Sequence, residues 1–131
     1  LRAVTEIESI ADSCNNLARA IKRRNEGKGE FTESLNHNMD QMFAIVDQAL
    51  QQMNVILHKP EAVHDDINVS YNVENEINNY RNQLKIKNME DVNNKAYDYQ
   101  VGVYYMDMVA ECEKLGDYVL NVVQAVIEKK I

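Results

Sequence analysis

Apolar residues recur at alternating intervals of three and four positions through most of the 131-residue chain. The longest series lies toward the C-terminal end and comprises Val101, Tyr105, Met108, Cys112, Leu115, Val119, Val122 and Val126. A second series, in the first half of the chain, comprises Leu35, Met39, Met42, Val46, Ala49, Met53 and Ile56. Such spacing gathers side chains on one face of an α-helix, and no segment shows the strict alternation of a half-buried β-strand. The pattern therefore predicts an all-α protein.

Two shorter series predict two further helices. The first helix, which we expect to end near Arg24, carries Ile7, Ile10, Cys14, Leu17 and Ile21. The third carries Val73, Ile77, Tyr80 and Leu84. We expect Thr32 to cap the second helix, and the third to end near Lys87, with Asp91 capping the last. Because the chain has only four glycines and one proline, it can reverse direction few times, so we expect a single domain over residues 1–131, an antiparallel bundle of about four long helices.

Charge and cysteine content narrow the functional class. A net charge of −7 disfavours nucleic-acid binding, which needs clustered Lys and Arg to neutralise phosphates. No stretch stays apolar over the roughly 20 residues that span a bilayer. Cys14 and Cys112 both occupy apolar positions of helical series, as reduced core cysteines do, so we expect a cytoplasmic protein without a disulfide. Leu1 opens the chain inside a helical pattern, which predicts a fragment of a longer protein.

The first and last helices share a polar motif. Three residues of the first helix recur at a constant offset in the last: Glu8, Asp12 and Asn16 match Glu113, Asp117 and Asn121. Spacing by four places each trio in one row, opposite the apolar series of its helix, so we expect both rows to face away from the core. Carboxylate and amide oxygens suit hard cations such as Mg, Ca, Mn or iron. A single acidic row is typical of a solvated helix face. Because the row occurs twice, a metal-binding surface is an equally good interpretation.

The two segments that carry this motif resemble a helix signature of the PhoU proteins. They read Glu113-Lys-Leu-Gly-Asp117-Tyr-Val-Leu-Asn121 and Glu8-Ser-Ile-Ala-Asp12-Ser-Cys-Asn-Asn16. The PhoU fold has two similar three-helix bundles, so the resemblance implies that this chain holds the last helix of one repeat and the whole of the next. PhoU-like domains also occur as cytosolic C-terminal domains of bacterial sodium/phosphate cotransporters. The resemblance therefore implies a regulatory, non-catalytic domain that controls phosphate transport.

The same resemblance implies site residues and partners. Some PhoU-like proteins bind metal clusters at acidic rows on the bundle surface. In this chain the implied ligands are Glu113 and Asp117 with Glu74, followed by Glu8 and Asp12, for iron, zinc, manganese or magnesium. Asn16, Asn78 and Asn121 would support these ligands by hydrogen bonds. The middle helix departs from the family pattern because Ser70 stands where an acidic residue is common. The implied partner is a membrane phosphate-transporter domain, in the same chain or in a separate protein, through which the chain would be membrane-associated.

Two other functions fit parts of the sequence. A metal-free helical adaptor or oligomerisation domain would use the acidic face or the apolar series to bind a partner or to form a homo-oligomer. A di-iron carboxylate enzyme of the ferritin type builds its centre from two Glu-x-x-His motifs. This chain has that spacing only at Glu61 and His64, so we do not expect an enzyme.

Overall fold

The computed structural model describes residues 2–27, 29–61 and 64–130, and this part of the chain contains four α-helices and no strand. The helices are α1 (Arg2–Glu26), α2 (Glu33–His58), α3 (His64–Asn93) and α4 (Tyr99–Lys130). The all-α prediction is confirmed. None of these four helices is apolar enough over sufficient length to cross a membrane, within the ranges given above. The prediction that the chain is a fragment of a longer protein was based on Leu1, which lies outside the described residues.

Helix α4 is the centre of the bundle. It packs against each of the other three helices, and α2 and α3 also pack against each other. Helix α1 packs on α4 and also reaches α2 through a hydrogen bond from the Arg24 side chain to Asn36. Contacts at the start and at the middle of α1 show that it runs antiparallel to α4, since Arg2 pairs with Glu128 and Ser13 donates a hydrogen bond to Glu111. The chain is therefore a three-helix bundle of α2, α3 and α4 with α1 laid along one side of α4. This arrangement matches the predicted division into one separate helix and a complete three-helix unit.

The two long apolar series form the core as predicted. Every residue of the α2 series is buried, and so is the α4 series up to Val122, with Val126 partly buried. Thr32 caps α2 as expected, because its hydroxyl accepts a hydrogen bond from the backbone N–H of Leu35 at 3.1 Å. A cap of this kind satisfies one of the donors that the first helical turn leaves unpaired. The Thr32 cap and the burial of the α2 series therefore agree on where α2 begins.

The predicted apolar face of α1 is only partly correct. Ile10, Leu17 and Ile21 pack against the core at partial burial, but Ile7 is 44% exposed and Cys14 is exposed. The prediction that Cys14 is a core cysteine is wrong, whereas Cys112 is fully buried. The reason is geometric. A helix that packs on one neighbour buries a narrower strip than a helix inside a bundle.

The boundary between α3 and α4 also differs from the prediction. Helix α3 continues past Lys87 to Asn93, and Asp91 lies inside it rather than at the start of α4. An ion pair between Lys87 and Asp91, one turn apart at 2.9 Å, supports this extension. The chain then turns near Lys95, whose φ of 58° is in the left-handed region. The sequence has no glycine or proline here, and its turn signal is limited to the pair Asn93 and Asn94, which the prediction did not use.

Candidate functional site

A close approach between α3 and α4 creates the candidate site. Gly116, in the middle of α4, faces Ile77 of α3 so closely that a Cβ built on the glycine would lie 2.8 Å from the Ile77 Cδ1 atom. A side chain at residue 116 would require the terminal methyl group of Ile77 to move. Next to Ile77 and Gly116, and within one helical turn of them, polar side chains of both helices line the groove. We call the set formed by Glu74, Asn78, Arg81, Glu113 and Asp117 the α3–α4 cluster.

Two contacts organise the α3–α4 cluster. Arg81 Nε lies 3.0 Å from Glu113 Oε2, across the groove. The N–H of that atom is not directed at an acceptor, so the contact is a pairing of charges rather than a directed hydrogen bond. On α3 itself, Asn78 Nδ2 donates to Glu74 Oε1 at 2.5 Å. Glu113 and Glu74 therefore each have a neighbour within the cluster, and both are half-buried.

Asp117 is the electrostatically unusual member of the cluster. Its pKa is raised from 3.8 to about 6. Desolvation in the groove is the main cause, followed by a hydrogen bond that Asp117, when protonated, makes with the Glu74 carboxyl. The negative charges of Glu74 and Glu113 act in the same direction, and Arg81 opposes them. One arginine does not neutralise three carboxylates, so the cluster carries an excess of negative charge when all of them are ionised.

The cluster also contains an unsatisfied oxygen. Asn78 Oδ1 is buried and accepts no hydrogen bond, which is uncommon because buried polar atoms usually find partners. An amide oxygen beside carboxylates is a donor set that suits a hard cation. However, in the part of the chain that the structure describes, no group of three or more His, Cys, Asp or Glu side chains is arranged to hold a metal ion. A cation in this groove would need Arg81 to withdraw from Glu113.

The structure thus brings together four of the predicted site residues and leaves the others apart. Glu74, Asn78, Glu113 and Asp117 share the groove, whereas the row on α1 is exposed to solvent. That row consists of Glu8, Asp12 and Asn16. Asn121 is also outside the cluster, since it donates instead to the α1 residue Glu6 at 3.3 Å. The five predicted ligands therefore do not form one site.

The outward orientation of the two rows was predicted correctly only for α1. On α4 the row lies along the groove beside α3, and the Glu113 side chain is only 24% exposed. The prediction assumed one core face per helix, but α4 has neighbours on three sides. A missed feature is the pairing of Arg81 with Glu113. Its signal was available, because Glu74, Asn78 and Arg81 follow at intervals of four and three and so share one face of α3.

Uptake of a proton by Asp117, whose pKa is about 6, relieves the excess negative charge, and a bound cation would do the same. No protein-family model, characterised protein or solved structure is detectably similar to this chain. The likeness to PhoU proteins accordingly rests on the duplicated motif of α1 and α4. What that likeness implies for function is a proposal, supported by the geometry of the groove.

Proposed function

We propose that this chain is a non-catalytic regulatory domain that controls phosphate transport, and that it responds to a divalent cation bound at the α3–α4 cluster. The observation that carries the proposal is the convergence of Glu74, Glu113 and Asp117 from two helices on one groove. The motif predicts Glu113 and Asp117 on α4, and the resemblance to PhoU proteins implies Glu74 on α3. Their proximity supports this choice of ligands, and their side chains would have to rotate to bind one cation together.

The electrostatics of the groove favour cation binding over a purely structural role. The raised pKa of Asp117 means that burial, and then the neighbouring carboxylates, disfavour its ionised form, which a bound cation would stabilise. Asn78 Oδ1 supplies a further oxygen without a partner. Manganese, magnesium, zinc and iron(II) are the candidates, and oxygen donors alone favour the harder ions among them. A metal at this position would hold α3 to α4, and its loss would loosen the same contact, which gives a regulatory domain two states.

The binding step is tested by thermal unfolding in the presence of Mn²⁺, Mg²⁺ or Zn²⁺, after removal of bound metal with a chelator. We expect at least one cation to raise the Tm of the wild-type protein, because a ligand that binds only the folded state stabilises it. Asp117→Asn should abolish the increase. Asp12→Asn is the matched control, since Asp12 occupies the equivalent motif position on exposed α1. Equal stabilisation of both variants, or none of the wild type, would exclude the proposed site.

The transport role needs a separate measurement in cells. Phosphate uptake would be compared in bacteria that produce a sodium/phosphate cotransporter alone, with this chain, or with the Asp117→Asn variant. We expect the wild-type chain to change the uptake rate and the variant to have a smaller effect. Unchanged uptake with every form would contradict a role in phosphate transport.

A metal-free adaptor is the second candidate, and one observation favours it. Arg81 already occupies the position from which a cation would neutralise Glu113. If the arginine is the permanent counter-ion, the cluster serves to hold α3 against α4 and function resides in other surfaces. The substitution Arg81→Gln separates the two possibilities. It should tighten cation binding if metal and arginine compete, and should only lower stability if the arginine is structural.

A further inference from the structure

An apolar cleft opens between α3 and α4 at the end nearest the turn that joins them. Its volume is about 340 Å³, and the residues that line it belong to these two helices. The apolar ones are Met89, Val92, Tyr99, Val103 and Met106. Met89 is 59% exposed and Tyr99 73%. A cleft of this size accepts a small apolar group, and the flexible methionine side chains can adapt to its shape.

The cleft is on the outside of a three-helix bundle whose members are all present. Helices α2, α3 and α4 pack against one another in every pairing. The end of α1 and the loop after it pack on another side of α4, where Gly27 meets Tyr104 and Gly29 meets Val101. The cleft is therefore separate from the surface of α4 that α1 covers.

The cleft and the α3–α4 cluster lie along one groove. Two glycines of α4 approach α3 closely: a Cβ built on Gly102 would lie 2.9 Å from Asn88 Oδ1, and one built on Gly116 would lie 2.8 Å from Ile77 Cδ1. Fourteen positions separate the two glycines, so the helices stay side by side for about 21 Å. Gly102 lines the cleft, and Gly116 is beside the cluster. The groove between α3 and α4 thus connects the two.

The groove changes in chemistry along its length. Residues seven positions apart share nearly one face of a helix. On α4, Val103 of the cleft is followed at that interval by Ala110 and then by Asp117. On α3, Val92 of the cleft is preceded at the same interval by Lys85, and both Lys85 and Ala110 are exposed. The groove therefore presents an apolar, a basic and an acidic zone in that order, about 10 Å apart.

We propose that this groove binds an amphipathic helix of a partner protein, which carries an apolar, an acidic and a basic side chain in that order, seven residues apart on one face. The apolar side chain enters the cleft, the acidic one pairs with Lys85, and the basic one neutralises the excess negative charge at Glu74 and Asp117. A groove between two packed helices accepts a third helix, and the small side chain of Ala110 permits close approach. Complementary charges then fix the register of the partner.

This docking does not require the proposed cation. A basic side chain and a divalent cation neutralise the same carboxylates, so the partner and the cation compete for the acidic zone. The binding experiments are therefore carried out in chelator-containing buffer, where failure of the cation proposal cannot affect the result.

The first experiment measures the fluorescence anisotropy of a labelled, alanine-rich helical peptide of about 20 residues. The peptide carries Leu, Glu and Arg seven residues apart on one face. The control peptide exchanges Glu and Arg, so its composition and net charge are the same. We expect the first peptide to bind the wild-type chain about tenfold more tightly than the control. Equal binding of the two peptides, or no binding of either at up to about 1 mM, overturns the proposal.

The second experiment locates the bound peptide with two variants that add the same charge to α3. Met89 lines the cleft, whereas Ile86 lies outside it on the same helix, and the two side chains are 59% and 60% exposed. Met89→Glu should weaken binding about tenfold, and Ile86→Glu should change it by less than about twofold. Circular dichroism checks that both variants remain folded. Equal weakening by both would assign the effect to net charge and overturn the proposal.

The third experiment tests the order of the zones. Lys85→Glu should reverse the preference between the two peptides, because it then favours Arg at the middle position. An unchanged preference would contradict the proposed register. Analytical ultracentrifugation of the peptide-free chain covers a different occupant, since a dimer that Met89→Glu abolishes would assign the cleft to a second copy of the chain and overturn the proposal.

Discussion

Replacing Asp117 by Asn in the metal-free protein should increase stability at neutral pH. The folded state raises the pKa of this carboxyl from 3.8 to about 6, so it favours the protonated form relative to the unfolded chain. Ionised Asp117 therefore costs stability at every pH above about 6. The cost fades as the pH falls from about 6 to about 4, because the folded protein then binds the proton. The substituted asparagine carries no charge at any pH, and its amide group can still donate to Glu74.

The size of the effect follows from the same shift. A displacement from 3.8 to about 6 corresponds to a ceiling of about 3 kcal/mol at neutral pH. The carboxyl is only half-buried and Arg81 lies in the same groove, so solvent screening reduces the cost, and we expect a gain of about 1 kcal/mol. The gain should be absent below about pH 4, where both states are protonated.

Urea unfolding monitored by circular dichroism, in chelator-containing buffers from acid to neutral pH, measures this gain. Asp12→Asn is the control, with an expected change within about 0.5 kcal/mol because Asp12 is exposed. A gain for Asp117→Asn that does not vary with pH would refute the electrostatic explanation. A loss of stability at neutral pH would show that the carboxylate is better compensated in the folded protein than the structure indicates. If the metal proposal is correct, adding a divalent cation should make Asp117→Asn less stable than the wild type, since Asn is the poorer ligand.

Two further predictions concern packing and cysteine reactivity. Gly116→Ala should change the free energy of unfolding by less than about 1 kcal/mol. Its Cβ would lie 2.8 Å from Ile77 Cδ1, a terminal methyl group that can rotate away, and alanine favours a helix by about 1 kcal/mol over glycine. Urea unfolding should show that Ile77→Val, which removes this methyl group, makes the alanine substitution more favourable in the double variant. Cys14 should react with a chromogenic disulfide reagent in the folded protein, whereas Cys112, buried and with its pKa raised to about 12 by desolvation, should react only on unfolding. Reaction of both thiols at similar rates in the native state would contradict the placement of Cys112 in the core.

The sequence predicted the fold well where one helix face is buried and the other is not. Each member of the α2 series proved to be buried, because α2 packs against α3 and α4 with a single face. Periodicity measures that kind of burial directly. It could not show that Ile7 and Cys14 would be exposed, since a sequence pattern does not reveal whether a neighbouring helix is present. It also missed the end of α3, where no glycine or proline marks the turn.

The site was predictable in its residue types but not in its assembly. The repeat identified Glu113 and Asp117, and the resemblance to PhoU proteins implied Glu74. What the sequence lacked was the distance between α3 and α4, which depends on Gly116 packing against Ile77. Because the sequence does not give that distance, it could not show that Asp117 is desolvated and that its pKa is therefore raised. The pairing of Arg81 with Glu113 likewise depends on the relative shift of the two helices along their axes.

The duplicated motif shows that identical residues acquire their chemistry from what packs beside them. Asp12 and Asp117 occupy the same position of the motif, yet Asp12 is exposed and Asp117 is half-buried, because α3 covers the face next to Asp117 and no helix of the described residues covers the corresponding face of α1. Burial and the neighbouring carboxylates raise the pKa of Asp117. Only the copy of the motif on α4 therefore has the uncompensated negative charge on which the proposed cation site depends.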